Sequence, residues 1–122
     1  MNSDSKILVC DDSILARKNL CAALNRCGYS NISEVSNGED AVKYCAENKP
    51  DLIFLDIVMP VKDGVTATRE IMGANPDAKI IIVSSVGTQT HLKEAIKAGA
   101  RDFVQKPIDE DLFRHVLENV DG

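Results

Sequence analysis

Two hydrophobic periods alternate along this chain, and that alternation constrains the fold more than any other feature of the sequence. Five short apolar runs are each followed by a segment in which apolar residues recur at helical spacing. Strands that alternate with helices predict an α/β fold, in which helices cover both faces of a doubly wound, five-stranded parallel sheet, (βα)5. The strands are predicted at 6–10, 32–35, 51–55, 79–83 and 101–104, and the helices at 13–26, 38–49, 64–72, 88–98 and 110–119.

Turn and cap residues place several of these boundaries. Asn37-Gly38 could form a hairpin turn, but the acidic residues and the helical pattern that follow favour Asn37 as a helix cap. Gly73 and Pro76 are expected to end the third helix, and Asp109 is expected to cap the last one.

Composition argues against several classes of protein. A chain of 122 residues fits one domain that can bury its own core. Its net charge of −5 argues against nucleic-acid binding, which needs a basic surface. The apolar runs are too short to span a membrane and no signal segment opens the chain, so we expect a cytoplasmic protein with no membrane partner. The four cysteines form no C-x-x-C pair, and we expect buried free thiols in a reducing compartment.

Polar side chains follow four of the predicted strands. Taken one at a time, an acidic pair is a common helix cap, Ser-Ser a common loop and Lys-Pro a common turn. Because the carboxyl ends of parallel strands meet at one edge of a sheet, we expect all of these residues to converge on one cleft. They are Asp11 and Asp12 after the first strand, Asp56 after the third, Ser84 and Ser85 after the fourth, and Lys106 and Pro107 after the fifth.

Three carboxylates, a hydroxyl and an ammonium group in one cleft indicate phosphoryl chemistry. Carboxylates that lie close together repel one another, and a hard divalent cation such as Mg²⁺ offsets that repulsion through oxygen ligands. A lysine opposite the carboxylates can bind a phosphoryl group as a point charge. A carboxylate can also be the nucleophile, because aspartyl phosphates are a class of covalent intermediate. Asp56 is the best candidate, since it ends the central strand and interrupts an apolar run with no turn residue beside it.

Four motifs together resemble the receiver domains of two-component response regulators. The motifs are LVCDDS, LIFLDIVMPVKDG, IIVSS and AIKAGARDFVQKP, and the resemblance covers residues 5–120. It implies the flavodoxin-like strand order 2-1-3-4-5 and a single receiver domain over residues 1–122, with no output domain. The chain therefore looks more like the stand-alone, CheY-like regulators of chemotaxis than like a transcription factor.

The resemblance implies roles for the acidic residues. Asp56 would accept a phosphoryl group from the phosphohistidine of a sensor histidine kinase. Asp12 and Asp56 would bind Mg²⁺ directly, together with the backbone carbonyl of Val58. Asp11 would act through a metal-bound water, and Mg²⁺ is the expected cofactor.

The resemblance also implies a switch. Lys106, expected to form a cis peptide with Pro107, would pair with the phosphoryl oxygens, Ser84 would hydrogen-bond to them, and Phe103 would swing inward behind Ser84. Serine stands where threonine is commoner in the family, which keeps the hydroxyl. Phenylalanine stands where enteric chemotaxis regulators have tyrosine, and an aromatic residue on a strand is equally compatible with simple core packing. The readout would be the face formed by the fourth helix, fifth strand and fifth helix.

Two valines are expected to affect the lifetime of the phosphoryl group. Val58 and Val86 lie two residues after Asp56 and Ser84, at positions that control the access of water in the family. Because both are apolar, we expect slow self-dephosphorylation.

Several partners and alternatives follow from the resemblance. The expected partners are a sensor histidine kinase, an output protein such as the flagellar motor switch, and a phosphatase. A phosphorelay shuttle, or a receiver excised from a longer regulator, would carry the same site.

A phosphatase of the haloacid dehalogenase type would need an acid where Val58 stands, and a flavin binder would have its phosphate repelled by Asp11 and Asp12. We therefore expect a signalling switch and not an enzyme.

Overall fold

The computed structural model describes residues 1–85 and 89–120, and strands alternate strictly with helices throughout that part of the chain. No helix within these ranges is long and apolar enough to cross a membrane. Val86 and Thr88, the expected start of the fourth helix, lie outside the described residues. The elements are β1 (Ile7–Cys10), α1 (Ile14–Arg26), β2 (Ile32–Val35), α2 (Gly38–Asn48), β3 (Leu52–Asp56), α3 (Gly64–Ala74), β4 (Ile80–Ser84), α4 (Gln89–Ala98), β5 (Asp102–Gln105) and α5 (Glu110–Asn119).

The strands form one parallel sheet in the order β2-β1-β3-β4-β5, which confirms the predicted fold and strand order. β1, β3 and β4 lie inside the sheet and are buried along their whole length, as their apolar sequences predict. The edge strands β2 and β5 are partly exposed. The carboxyl ends of the strands therefore lie along one edge of the sheet.

A hydrophobic core lies on each face of the sheet. On one face α1 and α5 pack against the strands, and the rings of Phe54 and Phe113 lie 5.5 Å apart between their centroids. On the other face α2, α3 and α4 cover Ile53, Leu55 and Ile82. Alternate residues of β3 thus point into opposite cores, which fixes the register of the strand up to its last residue.

Side-chain caps begin several of the helices. Ser13, Asn37, Asp63 and Asp109 each accept a hydrogen bond from a backbone N–H in the first turn of the helix that follows. The predicted caps at Asn37 and Asp109 are confirmed, and Asn37 begins α2 instead of turning a hairpin.

Three strands end one residue later than the sequence predicts. β3, β4 and β5 continue through Asp56, Ser84 and Gln105, because the parallel ladder pairs Asp56 with Val83 and Ser84 with Gln105. Asp56 and Ser84 are therefore the last residues of their strands and not loop residues. Their backbones are held by the sheet itself.

The predicted end of α3 at Met72 is wrong. The helix continues through Gly73 to Ala74, and Asn75 follows it directly before Pro76. A glycine inside a helix costs only about 1 kcal/mol relative to alanine. The residue before a proline is sterically disfavoured in helical geometry, so the proline and not the glycine sets the boundary.

The cysteines are all free thiols, but only Cys10 and Cys45 are buried. Cys21 and Cys27 are half-buried because they flank the buried stripe of α1, so the expectation of burial is wrong for these two. Burial raises the pKa of the Cys10 and Cys45 thiols to about 12. Both therefore stay protonated at neutral pH.

Alanine substitutions at two glycines, one tightly packed and one facing open space, test the packing of the chain at these positions. The N–H of Gly38 donates to the carbonyl of Lys62 at 3.1 Å, and a Cβ at residue 38 would overlap that oxygen. A Cβ at Gly73 would meet open space. Gly38→Ala should lower the free energy of unfolding by about 1–3 kcal/mol through overpacking. Gly73→Ala should raise it by about 0.5–1 kcal/mol through helix propensity. Urea unfolding followed by circular dichroism measures both, and effects of the same sign would contradict this packing.

Candidate functional site

The polar residues predicted to converge do meet at the carboxyl edge of the sheet. Asp11 follows β1, Asp56 ends β3, Ser84 ends β4 and Lys106 follows β5. The Lys106 ammonium Nζ lies 2.7 Å from Oδ2 of Asp11 and 3.5 Å from Oδ2 of Asp56. Side chains from three strand ends are therefore joined by direct ionic contacts.

Three carboxylates form the acidic centre of the site. Asp11, Asp12 and Asp56 each offer an oxygen, and these oxygens all lie within 4.8 Å of one another. Asp11 and Asp56 are buried, whereas Asp12 is exposed at the mouth of the cleft. The buried pair forms the floor, and the exposed carboxylate gives access from solvent.

Asp11 is held on several sides. Its backbone N–H donates to the carbonyl of Val35 at 3.2 Å. Its Oδ1 accepts a hydrogen bond from the N–H of Ser13 at 2.9 Å, while its Oδ2 takes the ammonium of Lys106. The side chain is therefore pinned between the first turn of α1 and β5.

Asp56 carries the strongest sign of electrostatic crowding. Its Oδ1 accepts a hydrogen bond from the N–H of Ile57 at 2.9 Å. Burial, with the charge of Asp11 second, raises the pKa of Asp56 from 3.8 to about 6, although Lys106 and the Ile57 amide oppose the shift. Lys106 alone therefore does not neutralise the carboxylates around it.

The ammonium group of Lys106 carries a positive charge in this cluster. Burial lowers its pKa, but the hydrogen bond to Asp11 and the charges of Asp56 and Asp11 outweigh burial, so the pKa is raised overall. Its backbone N–H donates to the carbonyl of Ser84 at 2.7 Å, and its peptide bond to Pro107 is cis, as expected. The ammonium group is thus available as a fixed positive charge beside Asp56.

The donor set fits a hard divalent cation. All of the clustered ligand atoms are carboxylate oxygens, which suit Mg²⁺ better than the softer metals that prefer nitrogen or sulfur. Burial, and after it the charge of Asp11, keeps the pKa of Asp56 raised although Lys106 opposes the shift. A cation placed among these oxygens would supply the missing charge.

The predicted switch residues differ in their surroundings. Ser84 is buried, and its Oγ lies 3.5 Å from the carbonyl of Val104, at the limit of a hydrogen bond. This contact by itself holds the hydroxyl only weakly. The ring of Phe103 is 40% exposed, so it lies outward and does not pack in the core.

The loop after β3 is shaped by Gly64. Its N–H donates to the carbonyl of Ile57 at 2.7 Å, and a Cβ at this position would overlap the carbonyl of Asp56. The side chain of Val58 in this loop is 60% exposed. The glycine thus allows the loop to fold back closely against the end of β3.

Sequence reasoning missed two residues that hold the acidic centre. The backbone N–H of Ser13 donates a hydrogen bond to the side chain of Asp11, and the guanidinium of Arg17 donates one to the backbone carbonyl of Asp11. The contact between Ser13 and Asp11 could have been predicted, because an aspartate commonly accepts a hydrogen bond from the N–H two residues later. The contact between Arg17 and Asp11 could not, because arginines are common on exposed helices and nothing in the local sequence marks this one.

Comparison with known proteins agrees with this geometry. The family model described as the response regulator receiver domain matches residues 7–118. The chemotaxis protein CheY of Thermotoga maritima is 40% identical over 115 residues, which covers 94% of this chain and 96% of that protein.

Two solved structures have the same fold. The REC domain of AraT, a response regulator from Geobacillus stearothermophilus, matches with a TM-score of 0.87 at 25% identity, over 96% of this chain and 92% of that chain. The receiver domain of the sensor histidine kinase PA1611 from Pseudomonas aeruginosa PAO1 matches with a TM-score of 0.86 at 26% identity, over 97% and 98%. That domain was solved with a magnesium ion coordinated in its active site cleft.

Replacing Asp56 with asparagine should stabilise the metal-free protein at neutral pH. The folded protein holds the pKa of Asp56 above its ordinary value, so ionisation of this group destabilises the fold as the pH rises from 3.8 towards about 6. The gain should be on the order of 2–3 kcal/mol above pH ~7 and should disappear below pH ~4. Urea unfolding in EDTA across this range measures the gain.

Asp77→Asn, which changes an exposed carboxylate in a turn, is the matched control and should give no comparable gain. A gain for Asp56→Asn that is independent of pH would contradict the electrostatic explanation.

Proposed function

The chain belongs to the response regulator receiver family, and from that premise we propose that Asp56 accepts a phosphoryl group from the phosphohistidine of a sensor histidine kinase. The observation that carries this proposal is the meeting of Asp56 with Asp11 and Lys106 at one edge of the sheet. The domain acts as a signalling switch that catalyses its own phosphorylation and dephosphorylation, and it does not turn over a separate substrate.

The transfer is a displacement at phosphorus. A carboxylate oxygen of Asp56 attacks the phosphoryl group, the bond from phosphorus to the histidine nitrogen breaks, and the kinase imidazole leaves with its electron pair. Lys106, 3.5 Å from the Asp56 carboxylate, can stabilise the negative charge that develops on the phosphoryl oxygens. The fixed positions of both groups reduce the motion needed to reach the transition state.

We assign the metal ligands within the same cluster. Asp12 and Asp56 would bind Mg²⁺ directly, the backbone carbonyl of Val58 would complete the protein ligands, and Asp11 would act through a metal-bound water. The spacing of the carboxylate oxygens supports this assignment, as does the magnesium ion in the cleft of the PA1611 receiver domain. When bound, Mg²⁺ would neutralise the carboxylates and withdraw charge from the phosphoryl oxygens.

The switch follows from the change of charge on Asp56. A phosphoryl group carries about −1.5 to −2 charges and several strong acceptor oxygens. Ser84 would leave its long contact with Val104 to donate to one of these oxygens, and Lys106 would pair with another. Phe103, whose ring lies outward, would then swing into the space that Ser84 vacates. This is a shift between two states of one element, biased by the phosphoryl group.

The output surface in this proposal is formed by α4, β5 and α5. A groove of about 410 Å³ lies on this face, and the exposed side chains of Phe103 and Leu112 border it together with Gln105 and His115. Inward movement of Phe103 would change its shape. The similarity to the chemotaxis protein CheY supports a role in chemotaxis. We propose the flagellar motor switch as the output partner, a phosphatase as a further partner and the cytoplasm as the location.

A phosphorelay shuttle, or one receiver within a longer regulator, is the second candidate. The PA1611 receiver domain belongs to a sensor histidine kinase, so this fold also serves inside larger signalling proteins. A shuttle would pass its phosphoryl group on to a second histidine, whereas a chemotaxis regulator would bind an output protein. Incubation of the phosphorylated domain with histidine phosphotransfer proteins distinguishes the two.

Phosphorylation should be detectable without the kinase. Acetyl phosphate and Mg²⁺ should add one phosphoryl group to the wild type, as measured by intact-mass spectrometry. The label should be lost in EDTA, because the carboxylates then remain uncompensated, and in Asp56→Asn, because the nucleophile is gone. Asp77→Asn, far from the cluster, should be labelled like the wild type. Labelling of Asp56→Asn to the wild-type level would exclude Asp56 as the acceptor.

The phosphoryl group should be lost slowly. The apolar side chain of Val58 is exposed two residues after Asp56 and offers no hydrogen bond to an attacking water. Val58→Asn, of similar size but polar, should shorten the half-life several-fold because an amide can orient water. The half-life is measured by mass spectrometry after the donor is removed. A half-life of a few seconds in the wild type would contradict the expectation.

A further inference from the structure

Arg17 connects three parts of the molecule beside the acidic centre. It lies in the second turn of α1, and its side chain is only 16% exposed. One terminal nitrogen, Nη1, donates to the backbone carbonyl of Asp11 at 2.7 Å. Its Nε donates to Oε1 of Glu34, on the edge strand β2, at 3.1 Å. The guanidinium therefore bridges the turn after β1 and the neighbouring strand.

The carbonyl that Arg17 holds belongs to the peptide unit joining Asp11 to Asp12. Because a peptide unit is planar, fixing its oxygen also fixes the N–H and Cα of Asp12. The Asp12 side chain is exposed, so little packing restricts it. Its approach to Asp11 and Asp56 is therefore set mainly by the backbone from which it leaves. The short, charge-assisted bond from Arg17 is well suited to hold that backbone.

A cation so near a metal site would by itself oppose metal binding. Glu34 offsets this charge, since its two oxygens take Arg17 at 3.1 Å and Lys18 at 3.4 Å. Lys18 is the neighbouring cation on the same carboxylate, but its side chain is 65% exposed. The two cations thus share one counter-ion, and Arg17 is the one that reaches the backbone of Asp11.

We propose that Arg17 is a positioning residue for the metal site, which orients the Asp11–Asp12 peptide so that Asp12 faces the other two carboxylates. The inference rests on the proposed Mg²⁺ site and adds a residue that does not touch the ion. Glu34 supports Arg17 from the other side and removes the electrostatic cost of placing a cation there. Outer residues that orient metal ligands typically change affinity by about 10–100-fold when replaced.

Positioning and electrostatics predict opposite results, which makes the proposal testable. Arg17→Gln removes a positive charge, so an electrostatic role alone predicts tighter Mg²⁺ binding. Loss of positioning predicts weaker binding, and we expect the dissociation constant to rise by about 10-fold. Lys18→Gln removes the same charge from the same carboxylate without touching the Asp11 backbone. It should leave the constant unchanged or slightly lower it.

The measurement is titration of the 122-residue protein with MgCl₂ in an isothermal calorimeter, which does not depend on phosphorylation. Thermal unfolding in EDTA establishes that each variant is folded. If Arg17→Gln does not fold, Arg17→Lys replaces it, because an ammonium keeps the charge but cannot span the carbonyl and Glu34 together. Arg17→Lys should also weaken binding.

The outcomes separate the two proposals. Wild-type affinity or tighter binding in a folded Arg17 variant overturns the positioning role while the Mg²⁺ site stands. A wild type that binds no Mg²⁺ overturns the metal site of the proposed function and the positioning role with it. Equal weakening by Arg17→Gln and Lys18→Gln would assign the effect to Glu34 and overturn the proposal.

Discussion

The crowding of carboxylates at the carboxyl edge of the sheet is the constraint on which the rest of this structure depends. Asp11 and Asp56 are buried there, and burial together with the charge of Asp11 raises the pKa of Asp56. Such an arrangement costs stability in the metal-free protein. It persists because β1 and β3, which carry it, each have hydrogen-bonded neighbours on both sides and a hydrophobic core on both faces. The packing of the sheet offsets the stability that the buried carboxylates cost. With a less rigid sheet edge, the carboxylates of Asp11 and Asp56 would move apart.

Lys106 links this crowding to the surface. Its ammonium group lies closer to Asp11 than to Asp56, and its backbone N–H is bonded to Ser84. A single residue after β5 therefore touches the ends of β1, β3 and β4. Any new charge on Asp56 would compete for that ammonium group, and Phe103 lies three residues before Lys106, on β5. Only a few contacts therefore separate Asp56 from the outer face of β5.

Much of this could be predicted from the sequence, and the reasons are local. The apolar runs and helical spacing predict the fold, since a parallel sheet buried on both faces leaves few other patterns. The helix caps at Asn37 and Asp109 follow from side-chain chemistry. The exact ends of the strands could not be predicted, because the pairing of Asp56 in the sheet depends on the neighbouring strand and not on its own segment. The contact of Arg17 with the backbone of Asp11 could not be predicted, because it joins residues six positions apart across a turn. The outward ring of Phe103 could not be predicted either, because it depends on tertiary packing and not on its own segment.

If Asp56 is the residue that is phosphorylated, the phosphoryl group forms a mixed anhydride with its carboxylate. Borohydride reduces such an acyl phosphate to the alcohol, which converts the phosphorylated aspartate to homoserine. The protein would be incubated with acetyl phosphate and Mg²⁺, reduced, digested and mapped by tandem mass spectrometry. We expect homoserine at position 56, and none there when the donor is omitted. Homoserine at position 11 or 12, or phosphate on Ser84 with none at position 56, would contradict it.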